Sequence, residues 1–187
     1  MVLKARRAGI FIGKFYRFVN NPEGVTCYTQ LIVIMAGTYS QIYIQVVFSP
    51  YKHENCIKES WSDELYKYIS GIVRNKGQKL IAINGTYDHI HIFLGIKPSI
   101  ALSDLVRDIK NNSSNFINNR RFVKGKFKWQ DGYGSFSYSH SQVDMIYKYI
   151  INQKEHHKKL SFKEEYLEML RKNDIDFDDK YLFEWLE

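Results

Sequence analysis

Of the six histidines in this 187-residue chain, two stand one residue apart, His89 and His91, inside NGTYDHIHIFLG, residues 84–95, which otherwise reads as a buried strand. Side chains two apart on a strand share a face and lie roughly 6.5–7 Å apart at Cα, a span that two imidazoles can bridge onto one ion. Ile90, Ile92 and Leu94 take the other face. The apolar side is therefore expected under helices, with both imidazoles on the open face of the sheet. Alone, the pair also reads as two solvated histidines.

A helix is predicted from about Gln142 to Lys159. On a wheel of roughly 100° per residue with Tyr149 at zero, Ile146, Ile150, Val143, Tyr147 and Ile151 fall between about 60° and 200°. That arc is the predicted buried stripe. Met145, Asn152, His156 and Gln153 fall with Tyr149 outside it, so Tyr149 is expected to point away from its helix's core and Tyr147 into it. Tyr149 and Gln153, in i, i+4 relation, can reach one point in space. A tyrosine hydroxyl with an amide carbonyl one turn on, facing two histidines, suits nucleophilic attack beside a metal ion. A solvated helix face with an aromatic at its edge is the plainer alternative.

The elements that must position these groups follow from periodicity. Residues 39–49 alternate, with Ile42, Ile44, Val46 and Phe48 opposite Tyr43, Gln45 and Val47, the period of a strand. Trp61, Leu65, Tyr68, Ile69, Ile72 and Val73 recur at helical spacing, and Gly77 is a plausible stop. Residues 78–83 and 88–95 flank an NGTY turn and predict an antiparallel hairpin. Leu102, Leu105, Val106, Ile109, Phe116 and Ile117 mark a second helix, and YGSFSYSH a fourth strand. The order β-α-β-β-α-β predicts an α+β fold of ferredoxin-like, RRM-like type, an antiparallel sheet with helices on one face plus the additional helix bearing Tyr149.

Composition bounds the function. The length suits one domain, no apolar run reaches the roughly 18 residues of a membrane span, and the two cysteines form no C-x-x-C pair, so a reducing cytoplasm is expected. The formal charge of +7 is uneven: residues 1–34 carry five basic and one acidic side chains, residues 35–160 eighteen and ten, residues 161–187 four and nine. A basic central block suggests a nucleic-acid partner. The text changes at Met35, so residues 1–34 are expected to be an N-terminal extension or a misassigned start, not native to the fold, ahead of a catalytic domain over 35–160. The acidic tail, 161–187, with Tyr166, Leu167 and Leu170 at helical spacing, is expected to pack as a helical cap.

YDHIHIFLG, LSDLVRDIKNNSS, WQDGYGSFSYSHSQ and YIINQKEHH, in that order, resemble the HUH single-tyrosine transposases of the insertion sequence 200/605 family and its REP-associated relatives. The similarity runs from Met35 onward. It implies that His89 and His91 bind a divalent metal, that Gln153 completes the protein ligands, and that Tyr149 is the nucleophile. Asn152 is expected to contact the phosphate or orient the site, and His156 to relay a proton or serve as an alternative ligand. The family further implies Mg²⁺ or Mn²⁺, although two imidazoles and an amide oxygen by themselves suit Mn, Fe or Zn better. No nucleotide cofactor is needed, because a 5′-phosphotyrosine exchanged for a phosphodiester conserves bond energy. The implied assembly is a homodimer and the implied substrate single-stranded DNA with hairpin ends.

Expected DNA contacts are Arg107, Lys110 and Asn111 on the second helix, and Arg120, Arg121, Lys124, Lys126, Lys128 and Trp129 in RRFVKGKFKW, where cations alternate with aromatics. The alternatives are a host-adopted or replication-initiator-like HUH nickase of the same chemistry and a non-catalytic RRM-like nucleic-acid binding module. Relaxases place their tyrosine near the N-terminus, against the late position of Tyr149; RRM modules expose aromatics at sheet centre, where this chain offers Phe93 beside two histidines.

Overall fold

The computed structural model of the protein describes residues 10–21, 24–35, 39–51, 56–178 and 182, the first two spans by their backbone alone. The chain divides into two units, residues 1–40 and 41–187. The first is a hairpin of β1 (Ile10–Asn21) and β2 (Gly24–Met35), antiparallel from Ile10↔Met35 to Asn21↔Gly24. The division falls a few residues after the boundary expected at Met35.

The second unit holds β3 (Ile42–Phe48), α1 (Glu59–Asn75), β4 (Lys79–Gly85), β5 (Ile90–Ile96), α2 (Leu102–Arg120), β6 (Gly134–Tyr138), α3 (Val143–Ile151), α4 (Gln153–His156) and α5 (Phe162–Lys172). Its sheet is antiparallel throughout in the order β4-β5-β3-β6, so the predicted β-α-β-β-α-β chain closes into the split ferredoxin-like arrangement. Among the described residues no helix is long and apolar enough to cross a membrane.

Alternation along the strands builds one core. Val46 and Phe48 of β3 and Ile90, Ile92 and Leu94 of β5 meet Trp61, Leu65, Ile69 and Val73 of α1 and Leu105, Val106, Ile109 and Ile117 of α2. Each such side chain fully withdrawn from water contributes about 1.5–3 kcal/mol. Gly77 ends α1 as expected: at φ +69° it lets its own N–H reach the Arg74 carbonyl at 2.9 Å and that of Gln78 reach Val73 at 3.1 Å, satisfying carbonyls left free at the helix end.

The opposite face is not open. A second layer made of α3, α4 and α5 covers it, with Val47 and Phe136 packed against Phe162, Tyr166, Met169 and Leu170, and Ala82 and Phe93 against Ile146 and Ile150. The sheet therefore carries helices on both faces, and the imidazoles expected on an open face are wholly buried. The tail helix α5 is started by a capping box in which Ser161 Oγ accepts from the Glu164 N–H and Glu164 Oε2 from the Ser161 N–H.

Two expectations about the Tyr149 helix are corrected. The continuous helix from Gln142 to Lys159 is broken at Asn152, whose φ and ψ are −92° and 16°. Asn84 Nδ2 of β4 donates to the Ile151 carbonyl at 2.7 Å, and the Glu155 N–H, which a continuous helix would give to Ile151, goes to the Asn152 carbonyl at 3.0 Å. The buried stripe is also rotated. Ile146 and Ile150 are buried as predicted, but Tyr147 and Ile151 are each 45% exposed, while Tyr149 packs with Ile146 and Ile150 and reaches Glu165 of α5 with its hydroxyl.

Candidate metal and nucleophile site

The turn between β4 and β5 presents the first histidine. A side chain at Gly85 would bring its Cβ to 2.2 Å from the His89 carbonyl oxygen, so the backbone closes here only on glycine, and the Thr86 N–H donates to that oxygen at 3.1 Å. His89 thus sits just ahead of β5, one residue short of the predicted strand position. Its Nδ1 lies 2.8 Å from Asp88 Oδ1 and 3.0 Å from Thr86 Oγ1, and its ring stacks on Phe162 with centroids 4.1 Å apart. Burial pushes its pKa down, with Asp88 working against that.

His91 lies within β5, paired with Val47 and Asn84 across the neighbouring strands. Its Nδ1 contacts Gln45 Nε2 at 2.8 Å, and Gln45 Oε1 accepts from Tyr138 Oη at 2.9 Å. Its Nε2 is buried without a hydrogen-bond partner. The two imidazoles stand edge to face, 4.9 Å between centroids.

The break at Asn152 turns Gln153 inward. Its amide oxygen is 3.4 Å from His89 Nε2, and its Nε2 donates to Glu165 Oε1 at 2.9 Å. Tyr149 donates its hydroxyl proton to the same Glu165 Oε1 and sets its ring 6.0 Å from that of His91. Glu165 Oε2 lies 2.9 Å from His157 Nε2, 3.4 Å from His91 Nε2 and 3.5 Å from His89 Nε2. One carboxylate is thus the meeting point of three histidines, a tyrosine and a glutamine.

The electrostatics follow. Burial by itself would raise the Glu165 carboxyl, but His91, His157 and His89 outweigh it and hold the group well below the usual carboxylate range. Burial would lower His157, yet the hydrogen bond and charge of Glu165 carry it above its ordinary value. Burial, then the charge of Glu165, pushes the Tyr149 phenol well up, so at rest its proton stays on oxygen.

A divalent ion fits these donors. Ligand atoms of His89, His91, His157 and Glu165 all lie within 4.8 Å of one another, and the partnerless His91 Nε2 is a buried nitrogen facing that cluster. His89, by contrast, has its far nitrogen backed by a carboxylate, the usual support of a metal-binding imidazole. The four could therefore hold a metal, and the Gln153 carbonyl borders the same point. Tyr149 and Glu165 also line a cavity of about 470 Å³ with Ser137, Gln142, Met145 and His156, a route by which a substrate can reach the hydroxyl.

Other expected site residues are more scattered. Asn152 is exposed at the helix break, while His156 lies beside Tyr149, ring centroids 5.2 Å apart, with Nε2 3.9 Å from Glu165 Oε1. Arg107 is exposed and bridges Asp104 and Asp108, and Asn111 is exposed near it on α2. Lys110 turns inward, donating to the carbonyls of Gln130 and Gly132 at 2.5 and 2.6 Å, and burial lowers its pKa to about 8. Arg120 pairs with Glu64, and Lys128 lies 3.5 Å over the Tyr51 ring. Arg121, Lys124 and Lys126 are exposed.

Trp129 corrects the expectation of a base-stacking platform. It is 5% exposed, packs edge-on against Phe48 and Phe127, and donates Nε1–H to Ser113 Oγ at 2.8 Å. Phe122 likewise stacks on Trp61. The alternation in RRFVKGKFKW thus sends aromatics into the core and most cations into solvent.

Sequence reasoning missed Glu165 and gave His157 no role. The signal for Glu165 was present: Phe162, Glu165, Tyr166 and Met169 fall at i, i+3, i+4 and i+7, placing a carboxylate inside an apolar stripe where it needs partners.

Several comparisons bear on this arrangement. A candidate transposase from Deinococcus radiodurans shares 21% identity at a TM-score of 0.52, over 63% of this chain and 94% of its own. A REP-associated tyrosine transposase, solved bound to a REP hairpin, shares 13% identity at a TM-score of 0.50, over 65% of this chain and 72% of its own. At these identities the likeness is one of fold. No curated protein sequence matches the chain. Residues 38–153 match the family described as Transposase IS200 like, and over that majority of its length the chain belongs to the IS200-like transposase family.

Proposed function

We propose that the protein cleaves and rejoins single-stranded DNA at hairpin-bearing element ends, with Tyr149 as nucleophile. The observation that carries this reading is the convergence of Tyr149 Oη and the Nε2 atoms of His89 and His91 on one carboxylate, Glu165. A nucleophile and a metal-binding set so placed can act on the same phosphate. The REP hairpin bound by one structural relative supports a folded hairpin as the DNA form.

His89, His91 and Gln153, with Glu165 and His157 beside them, would hold a divalent metal, Mg²⁺ or Mn²⁺, which supplies positive charge against the scissile phosphate. Tyr149 Oη attacks phosphorus, the bond to the 3′ oxygen breaks, and a 5′-phosphotyrosine and a free 3′-hydroxyl result. Glu165 Oε1 orients the tyrosine hydroxyl and is the acceptor in contact with its proton, which the departing 3′ oxygen takes up. The reverse reaction rejoins the strand without a nucleotide cofactor. Arg107, Asn111, Arg120, Arg121, Lys124, Lys126 and Lys128 are the proposed phosphate contacts, with Asn152 and His156 supporting the centre. A homodimer follows from the family resemblance and is checked by light scattering, where a monomeric mass removes that part alone.

The RRM-like alternative is disfavoured because the sheet face it would use is covered by α3 and α5. The test is incubation with hairpin single-stranded DNA and Mn²⁺, followed by denaturing electrophoresis. A protein–DNA adduct is expected for the native chain and for Tyr147→Phe, and none for Tyr149→Phe. An undiminished adduct with Tyr149→Phe refutes the assignment.

A further inference from the structure

Gln45 of β3 is wholly buried between two groups: Nε2 lies 2.8 Å from His91 Nδ1, and Oε1 accepts from Tyr138 Oη at 2.9 Å. An amide nitrogen only donates, so in this orientation His91 Nδ1 accepts and the single proton of a neutral ring sits on Nε2. That nitrogen is the buried one with no hydrogen-bond partner; Glu165 Oε2 lies 3.4 Å from it. With a proton there, His91 has no lone pair to offer the cluster.

A half-turn of the amide about Cγ–Cδ exchanges its oxygen and nitrogen. The carbonyl then accepts from His91 Nδ1–H, the NH₂ group donates to Tyr138 Oη, and a hydroxyl accepts as readily as it donates. His91 Nε2 becomes a lone pair facing Glu165. Either network satisfies Gln45 and Tyr138, but only the second makes His91 a ligand. His89 has no such choice, because the Asp88 carboxylate at its Nδ1 accepts and so keeps the proton on that side.

We propose that Gln45 is a positioning residue for metal binding: the turn of its amide, anchored by Tyr138, selects the His91 tautomer and so decides whether Nε2 can take a divalent cation. The inference rests on the metal-dependent reading above. It assigns a task to Gln45, which the strand's alternation places on the face opposite the core of Val46 and Phe48.

The test combines ¹⁵N NMR of the His91 ring in metal-free protein with calorimetric titration of Mn²⁺, for the native chain, Gln45→Glu and Gln45→Leu. A carboxylate at 45 accepts from both Tyr138 and His91, so Gln45→Glu is expected to fix the proton on Nδ1 and keep Mn²⁺ affinity within about threefold of native or tighter, whereas Gln45→Leu weakens it about 10–100-fold. Gln45→Met replaces the leucine variant if that one fails to fold. The proposal is overturned if the apolar variant shows the same His91 tautomer as Gln45→Glu, or binds Mn²⁺ within about threefold of native. Absence of Mn²⁺ binding by the native chain would count against the metal-dependent function, while the tautomer comparison, made without metal, still decides the role of Gln45.

Discussion

Replacing Glu165 with alanine removes the carboxylate on which the site converges, and its cost in the metal-free protein can be worked from the contacts. Three donors lose their acceptor: Tyr149 Oη, Gln153 Nε2 and His157 Nε2. The carboxylate is 2% exposed, and the side chains of His89, His91 and His157 around it are 0%, 0% and 10% exposed. A buried donor left unpaired costs about 1–3 kcal/mol, and removing one member of a buried ionic network about 3–5 kcal/mol. The cavity beside Tyr149 lets water re-pair part of the set, so the lower end, about 3 kcal/mol, is expected. Urea denaturation in EDTA, followed by tryptophan fluorescence, measures it. Glu165→Gln, which keeps the volume, should lose less, because an amide oxygen still accepts from Tyr149.

The pH dependence of the difference between native and Glu165→Gln follows from the two shifted groups. Glu165 is depressed when folded, so its contribution is full above its unfolded value of 4.5 and is lost as pH falls below it. His157 is raised when folded, so its contribution is full below its unfolded value of 6.5 and is lost as pH rises through the folded one. The difference should therefore peak between about pH 4.5 and 6.5 and shrink on both sides. A loss below about 1 kcal/mol for Glu165→Ala, or a difference that is flat with pH, would refute the view that this carboxylate organises the site.

Three other outcomes follow from the packing. Ile150→Ala, at a fully buried position holding α3 to the sheet, should cost about 2–5 kcal/mol in urea denaturation, whereas Tyr147→Phe should stay within about 0.5 kcal/mol. Trp129→Phe should lower thermal stability with little change in DNA affinity, while Lys124→Ala with Lys126→Ala should leave stability unchanged and reduce the salt slope of binding by about one to two. Mn²⁺ at 100 times its dissociation constant should stabilise the native chain by about 2.7 kcal/mol over the same protein in EDTA, with the gain lost in His91→Ala.

The sheet and its first helical layer were legible because their signals are local and periodic: alternation over Ile42–Phe48, the apolar repeat from Trp61 to Val73, the stop at Gly77 and a hairpin turn signalled by NGTY, although Asn84 and Gly85 end β4 and the turn itself follows them. The meeting of His89, His91, Tyr149 and Gln153 at one place was legible by type and spacing. The second layer was not, because its formation depends on contacts distant in sequence. Tyr147 looked buried on a wheel that placed it inside the Ile146–Ile151 arc, whereas Tyr149 is the tyrosine turned inward, to Glu165 of α5, and Tyr147 faces solvent. At the break at Asn152 the Ile151 carbonyl is taken up by Asn84, on a strand far earlier in the chain. Glu165 was hidden by the charge of the tail around it, although its place in the apolar stripe of α5 marked it as a group with buried partners. Trp129 misled in the other direction, since alternation of cations and aromatics also describes a strap whose rings pack inward.

The most direct measurement is the position of the covalent bond. A hairpin single-stranded DNA is incubated with the native chain and Mn²⁺, the adduct is digested with nuclease and protease, and the nucleotide-bearing peptide is sequenced by mass spectrometry. The expected result is a nucleotide attached through its 5′-phosphate to Tyr149. Attachment to Tyr147, Tyr138 or any other residue, or a 3′-phosphate linkage, would contradict the account.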